Sequence, residues 1–119
     1  MKVLIIDDDA DIRFVAAMSL RAGAIDVVVA SGGLDGVCKA REEQPDVILL
    51  DMMMPTMDGS QTIAALRMQT ETATTPVIFL TAKTIVAEIQ RMKDLGAAGV
   101  LIKPFDPRTL AADVFALLT

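Results

Sequence analysis

Short, unbroken apolar runs alternate along this chain with longer stretches in which apolar residues recur every three or four positions. The runs are Val3-Leu4-Ile5-Ile6, Val27-Val28-Val29-Ala30, Val47-Ile48-Leu49-Leu50, Val77-Ile78-Phe79-Leu80 and Gly99-Val100-Leu101-Ile102. Each is continuous rather than alternating and rich in branched side chains, the pattern of a strand covered on both faces of a parallel sheet. The intervening stretches predict five helices. The residues that recur at helical spacing are Phe14, Ala17, Met18 and Ala22; then Leu34, Val37, Cys38 and Arg41; then Ile63 and Leu66; then Ile85, Ile89 and Met92; and last Leu110, Val114, Leu117 and Leu118. Asp106 and Pro107 read as the N-cap and first residue of the fifth helix. Ser31-Gly32-Gly33, Gln44-Pro45, Thr75-Pro76 and Leu95-Gly96 fall at the element boundaries, as turn-forming residues should. The expectation is a single α/β domain over residues 1–119, a (βα)5 doubly wound parallel sheet of five strands with helices on both faces. Cys38 lies inside an apolar stripe and reads as a buried hydrophobe, and the eight methionines read mostly as core filler.

Composition narrows the chemistry. With 119 residues, the chain is long enough for one core and too short for two. The longest apolar stretch, from Ala97 to Ile102, falls far short of the roughly 20 residues that span a bilayer. Met1-Lys2 leads straight into the first strand pattern without a signal-peptide layout. One cysteine permits no internal disulfide and fits a reducing, cytoplasmic compartment. Eleven basic residues against 16 acidic ones give a net charge of −5 and a pI near 4.5, which argues against a direct nucleic-acid surface. There is no histidine. That removes Ser-His-Asp and Cys-His catalysis, histidine-ligated zinc and any phosphohistidine on this chain.

In open α/β sheets, ligands bind beyond the carboxyl ends of the strands, so the residues just after each run carry the functional signal. Asp7-Asp8-Asp9 come after the first run, Asp51 after the third, Thr81-Ala82 after the fourth and Lys103-Pro104 after the fifth. Two carboxylates 4 Å apart repel by about 4 kcal/mol at an effective dielectric near 20. A divalent cation relieves that strain, and an all-oxygen donor set favours Mg2+. Lysine adds a point charge and threonine a hydroxyl donor. Carboxylates, magnesium, lysine and hydroxyl together suit phosphoryl transfer, with Asp51 itself a candidate nucleophile that would form an acyl phosphate. Asp9 reads only as a helix cap, and Asp58-Gly59 as turn chemistry before the third helix. Thr81 reads either as part of the site or as a cap of the fourth helix.

The strand-Asp7-Asp8 pair, Asp51-x-x-Met54-Pro55-x-Met57-Asp58-Gly59, Thr81-Ala82 and Lys103-Pro104-Phe105 together resemble a response-regulator receiver domain of the CheY-like type. The resemblance covers the whole chain, with the motifs in order on successive strand ends. It implies the strand order 2-1-3-4-5. It also implies that Asp51 takes a phosphoryl group from a phosphohistidine on a sensor histidine kinase or a histidine phosphotransfer protein. Asp8 would ligate Mg2+ directly and Asp7 through water, with Asp51 and the Met53 carbonyl completing the protein ligands. Thr81 would swing towards the phosphoryl group, Lys103 would pair with one of its oxygens, and the Lys103–Pro104 bond would be cis. A downstream protein target would dock on the face of the fourth helix, fifth strand and fifth helix.

One position departs from the pattern. Receivers commonly carry Tyr or Phe three residues before the strand-five lysine, and here Val100 stands there. An aromatic rotation therefore cannot be the readout. Met53 and Lys83 hold the positions that in relatives govern water access to the acyl phosphate, and an apolar Met53 predicts slow self-dephosphorylation. Two other functions compete with a phosphorylated switch. One is a receiver-shaped interaction module that ignores phosphate, to which Val100 lends weight. The other is a magnesium-dependent phosphohydrolase, which commonly wants an acid two residues after the nucleophile, where this chain has Met53.

Overall fold

The computed structural model describes Met1–Thr119. Five strands, β1 (Lys2–Ile6), β2 (Asp26–Ala30), β3 (Val47–Asp51), β4 (Val77–Thr81) and β5 (Gly99–Ile102), alternate with five helices. The helices are α1 (Ala10–Ala22), α2 (Gly33–Glu43), α3 (Gly59–Met68), α4 (Val86–Asp94) and α5 (Leu110–Leu118). All strand pairs are parallel and the sheet runs β2-β1-β3-β4-β5, the order that the family resemblance implied.

The period-2 geometry of the central strands divides the core into two layers. Val3, Ile5, Val47, Leu49, Ile78 and Leu80 face α1 and α5, where they meet Ala16, Ala17, Leu20, Leu110 and Val114. Leu4, Ile6, Ile48, Leu50, Val77 and Phe79 face the other way, towards Ala40 of α2, Ile63 and Leu66 of α3 and Met92 of α4. These strand residues are wholly buried, each such side chain contributing about 2 kcal/mol. Their burial on both faces is what the continuous apolar runs encode. The edge strands β2 and β5 are only partly covered.

Several of the expected helix stripes are displaced. In α1 the buried residues are Ala16, Ala17 and Leu20, while Phe14 and Met18 are 66% and 58% exposed and Ala22 is exposed. In α2 the buried residues are Gly33, Gly36 and Ala40; Leu34, Cys38 and Arg41 face solvent and Val37 is half-buried. The reason is close approach: a Cβ on Gly36 would lie 2.5 Å from Ile6 Cδ1, so the helix packs through its smallest residues. Cys38 is therefore not a core residue. Nor are most methionines: Met1, Met18, Met53 and Met68 are exposed, Met52 and Met57 are half-buried, and only Met54 and Met92 are buried.

At α4, Met92 is buried and Ile89 half-buried, but Ile85 is the exposed N-cap. At α5, Leu110 and Val114 are buried and Leu117 and Leu118 half-buried. This helix begins one turn later than Asp106-Pro107 indicated, with Thr109 as its N-cap. Asp106 instead closes a turn, its carbonyl accepting the Thr109 N–H at 3.1 Å and its carboxylate the Arg108 N–H at 2.9 Å. A short 3-10 helix, Thr70–Thr72, has no counterpart in the apolar pattern. Arg67 holds it by donating to the carbonyls of Thr72 (3.1 Å) and Thr75 (2.7 Å).

Candidate functional site

Parallel register brings the strand-end residues to one level. Ile6 pairs with Leu50, Asp51 with Leu80, and Thr81 with Ile102. Backbone bonds carry the ladder one step further: Asp7 N–H to Ala30 O (3.2 Å), Met52 N–H to Leu80 O (3.0 Å) and Lys103 N–H to Thr81 O (2.7 Å). Asp7, Asp51, Thr81 and Lys103 therefore emerge side by side at the carboxyl edge of the sheet. The β3–α3 connection is held against β3 by Gly59, whose N–H donates to Met52 O at 2.9 Å. A Cβ there would come within 2.8 Å of Met52 Cα, so glycine is what lets α3 start this close to Asp51.

The side chains converge on one cation. Lys103 Nζ lies 2.8 Å from Asp7 Oδ2 and 3.1 Å from Asp51 Oδ1. Asp7 is fully buried, Asp51 is 4% exposed, and Asp8 is open to solvent. One carboxylate oxygen from each of Asp7, Asp8 and Asp51 lies within 4.8 Å of the other two. The second oxygen of Asp7 accepts the Asp9 N–H at 2.9 Å, and Asp51 Oδ1 accepts the Met53 N–H at 3.3 Å. These residues, with Met53 and Ala82, line an open cavity of about 260 Å3.

Three carboxylates against one ammonium leave surplus negative charge, and the titration behaviour reflects it. Burial, followed by the charge of Asp7, pushes the Asp51 carboxyl up from 3.8 to about 6, and the hydrogen bond and charge of Lys103 only partly offset them. Burial, the largest single influence, would lower Lys103, but the hydrogen bonds to Asp7 and Asp51 and the charges of both carboxylates together raise it above the ordinary lysine value. An open, all-oxygen cluster with excess negative charge and no thiolate or imidazole suits a hard divalent cation such as Mg2+. The Lys103–Pro104 peptide bond is cis.

Most of the residues singled out in the sequence thus meet around one cavity: Asp7, Asp8, Asp51, Met53 and Lys103. Thr81 does not line it. Its side chain is buried and its Oγ1 accepts the Lys83 N–H at 3.1 Å. Nor does it cap α4, which begins only at Val86. Asp9 caps α1 through the Asp11 and Ile12 N–H groups and also borders the cavity. Asp58 forms a reciprocal capping box with Gln61 at the start of α3. Val100 sits half-buried on β5, opposite Phe79.

One participant went unread in the sequence. Arg13 Nη1 donates to the Asp7 carbonyl at 2.7 Å. The only signal for it was a basic residue in the second turn of a helix that opens on an acidic cluster.

Known proteins agree with this architecture. The chain is 39% identical to the DNA-binding dual master transcriptional regulator RpaA of Synechocystis sp., across 98% of this chain and 48% of that protein. It is 37% identical to the alkaline phosphatase synthesis transcriptional regulatory protein PhoP of Bacillus subtilis, again across 98% of this chain and 48% of the relative. The chain spans about half the length of the curated relatives it matches. Among solved structures, the chemotaxis response regulator CheY4 of Vibrio cholerae superposes with a TM-score of 0.91 at 36% identity, covering 98% of this chain and 97% of that one. The family model described as the response regulator receiver domain matches residues 3–115. Fold, strand-end residues and family match therefore converge: the chain belongs to the response-regulator receiver domains of two-component systems.

Proposed function

We propose that this domain is a phosphorylation switch whose acceptor is Asp51. The observation that carries the reading is the Lys103 ammonium bridging Asp7 and Asp51 inside a cluster of three carboxylates. An Asp51 carboxylate oxygen attacks the phosphorus of a partner's phosphohistidine, the P–N bond breaks, and the imidazole leaves and is protonated from solvent. The phosphohistidine comes from a sensor histidine kinase or a histidine phosphotransfer protein, because this chain has no histidine of its own. Mg2+ would be held by Asp8, Asp51 and the Met53 carbonyl, with Asp7 contributing through water, and would supply charge neutralisation for the transferring group. Lys103, already 3.1 Å from Asp51, is placed to pair with a phosphoryl oxygen. Thr81 Oγ1 accepts from Lys83, which leaves its own proton for the phosphoryl group once the side chain turns outward.

The domain then acts as a switch rather than an enzyme with an external substrate, catalysing only its own phosphorylation and dephosphorylation. Its output runs through a protein surface, that of α4, β5 and α5, without direct contact to nucleic acid. Relatives of about twice this length are named as DNA-binding regulators. In such a context the domain would govern a separate effector.

Incubation with acetyl phosphate and Mg2+, followed by intact-mass and peptide analysis, tests the reading. One added phosphoryl group on Asp51, absent in Asp51→Asn and without Mg2+, is expected. No adduct, or an adduct elsewhere, overturns it. Val100 supports a second reading, an interaction module indifferent to phosphate. That reading gains if Asp51 is modified but the amide spectrum of the α4–β5–α5 face stays unchanged.

A further inference from the structure

We propose that Arg13 is a positioning residue for the divalent-cation site, acting through the Asp7 backbone. Helical side chains lean towards the N-terminus of their helix, so a long residue one turn into α1 reaches back over the β1–α1 junction. Arg13 does this: its backbone N–H bonds the Asp9 carbonyl at 3.0 Å while its guanidinium bonds the Asp7 carbonyl at 2.7 Å. Every polar group of Asp7 is then fixed. The N–H donates to Ala30, one carboxylate oxygen accepts from Asp9, the other from Lys103, and the carbonyl accepts from Arg13.

Asp8 is the next residue and stands exposed at the cavity. Neither a cation nor a backbone N–H anchors its carboxylate, which faces only the Asp51 carboxyl, so its place depends largely on the peptide that joins it to Asp7. The carbonyl gripped by Arg13 belongs to that peptide. Arg13 thus sets the plane from which Asp8 projects, whereas Lys103 sets the Asp7 and Asp51 carboxylates. Outer contacts of this kind orient the groups that hold a metal, and losing one typically costs tenfold or more in affinity.

A rival account makes the opposite prediction. If Arg13 acted only as a nearby positive charge, it would repel a dication, and removing it would tighten binding. The inference rests on the cation site proposed above, and Mn2+ binding followed by electron paramagnetic resonance tests it on the full chain without reference to phosphorylation. Arg13→Met, which keeps the stem and removes charge and donors, is expected to bind Mn2+ roughly tenfold more weakly. Arg13→Lys, which restores a donor and the charge, is expected to recover much of the loss. Denaturation in EDTA separates this from general loosening: both variants are expected to unfold as one cooperative transition near the wild type. Unchanged or tighter binding by Arg13→Met overturns the positioning role. Failure of the wild-type chain to bind Mn2+ at all overturns instead the cation site on which it rests.

Discussion

Asp51→Asn is expected to make the metal-free domain more stable at neutral pH, although it removes the proposed acceptor. In the folded chain the Asp51 carboxyl titrates near 6 instead of 3.8, because burial and the Asp7 charge outweigh the help from Lys103. The folded state therefore holds a proton that the unfolded state has already released, so stability falls as pH rises from about 3.8 through 6. Above that window the ionised group carries a strain of roughly 3 kcal/mol. Asparagine has the same shape, keeps an oxygen for the Met53 N–H and Lys103, and has no charge. The variant should gain roughly 3 kcal/mol at pH 7.5, about 10 °C in Tm for a domain of this size. Near pH 4 the gap should nearly close, since the folded state keeps its proton there and the unfolded state is close to its own midpoint. Thermal denaturation followed by far-ultraviolet circular dichroism in EDTA at pH 4, 6 and 7.5 measures it. Mg2+ should raise the wild-type Tm more than that of the variant, narrowing the gap from the other side. A variant no more stable than wild type at pH 7.5, or a gap that does not depend on pH, would refute the account of charge strain.

Removing the cation instead should have the opposite sign. Lys103→Met leaves fully buried Asp7 and nearly buried Asp51 without their ammonium and should cost about 3 kcal/mol in urea unfolding at pH 7.5. Adding Asp51→Asn to that variant should recover part of the loss. Thr81→Ala would delete the hydrogen bond proposed between Thr81 and the phosphoryl group and should slow phosphorylation by acetyl phosphate by roughly tenfold, with little change in Mn2+ binding. Met53, 63% exposed at the cavity, should shield the acyl phosphate, so the decay of phosphorylated Met53→Asn, followed by intact mass, should be several-fold faster than wild type. Equal decay would remove Met53 from that role.

The fold was legible wherever burial is two-sided. In β1, β3 and β4 nearly every residue is enclosed, so the runs had to be continuously apolar, and few environments besides a two-sided sheet core select four or five such residues in a row. Helices were misread where packing is closest. The α2 interface is made of Gly33, Gly36 and Ala40, which carry little hydrophobic signal, while the larger Leu34 and Cys38 look outward. Size and burial run in opposite directions there, so a search for large apolar stripes selects the wrong face. The same happens in α1, where Ala16 and Ala17 touch the sheet and Phe14 and Met18 do not. Helix boundaries slipped for another reason. Asp-Pro starts turns as readily as helices, and at 106–107 the chain uses it for a turn.

The site was legible for a different cause, the cost of charge. A carboxylate that ends an otherwise wholly apolar strand cannot be excused by solvation. Asp7 and Asp51 are indeed buried, and the Lys103 ammonium together with the Asp9 and Met53 N–H groups satisfies their carboxylates. Asp51 at the end of β3 and Lys103 after β5 follow their strands at the same level of the sheet, so the sequence pairs a carboxylate with a cation there. Arg13 offered no such handle. Its contact is to a carbonyl, a group every residue possesses, so the sequence marks neither the donor nor the acceptor as unusual. Charges in the wrong place can be read from a sequence, but a side chain that holds the backbone in the right place must be seen.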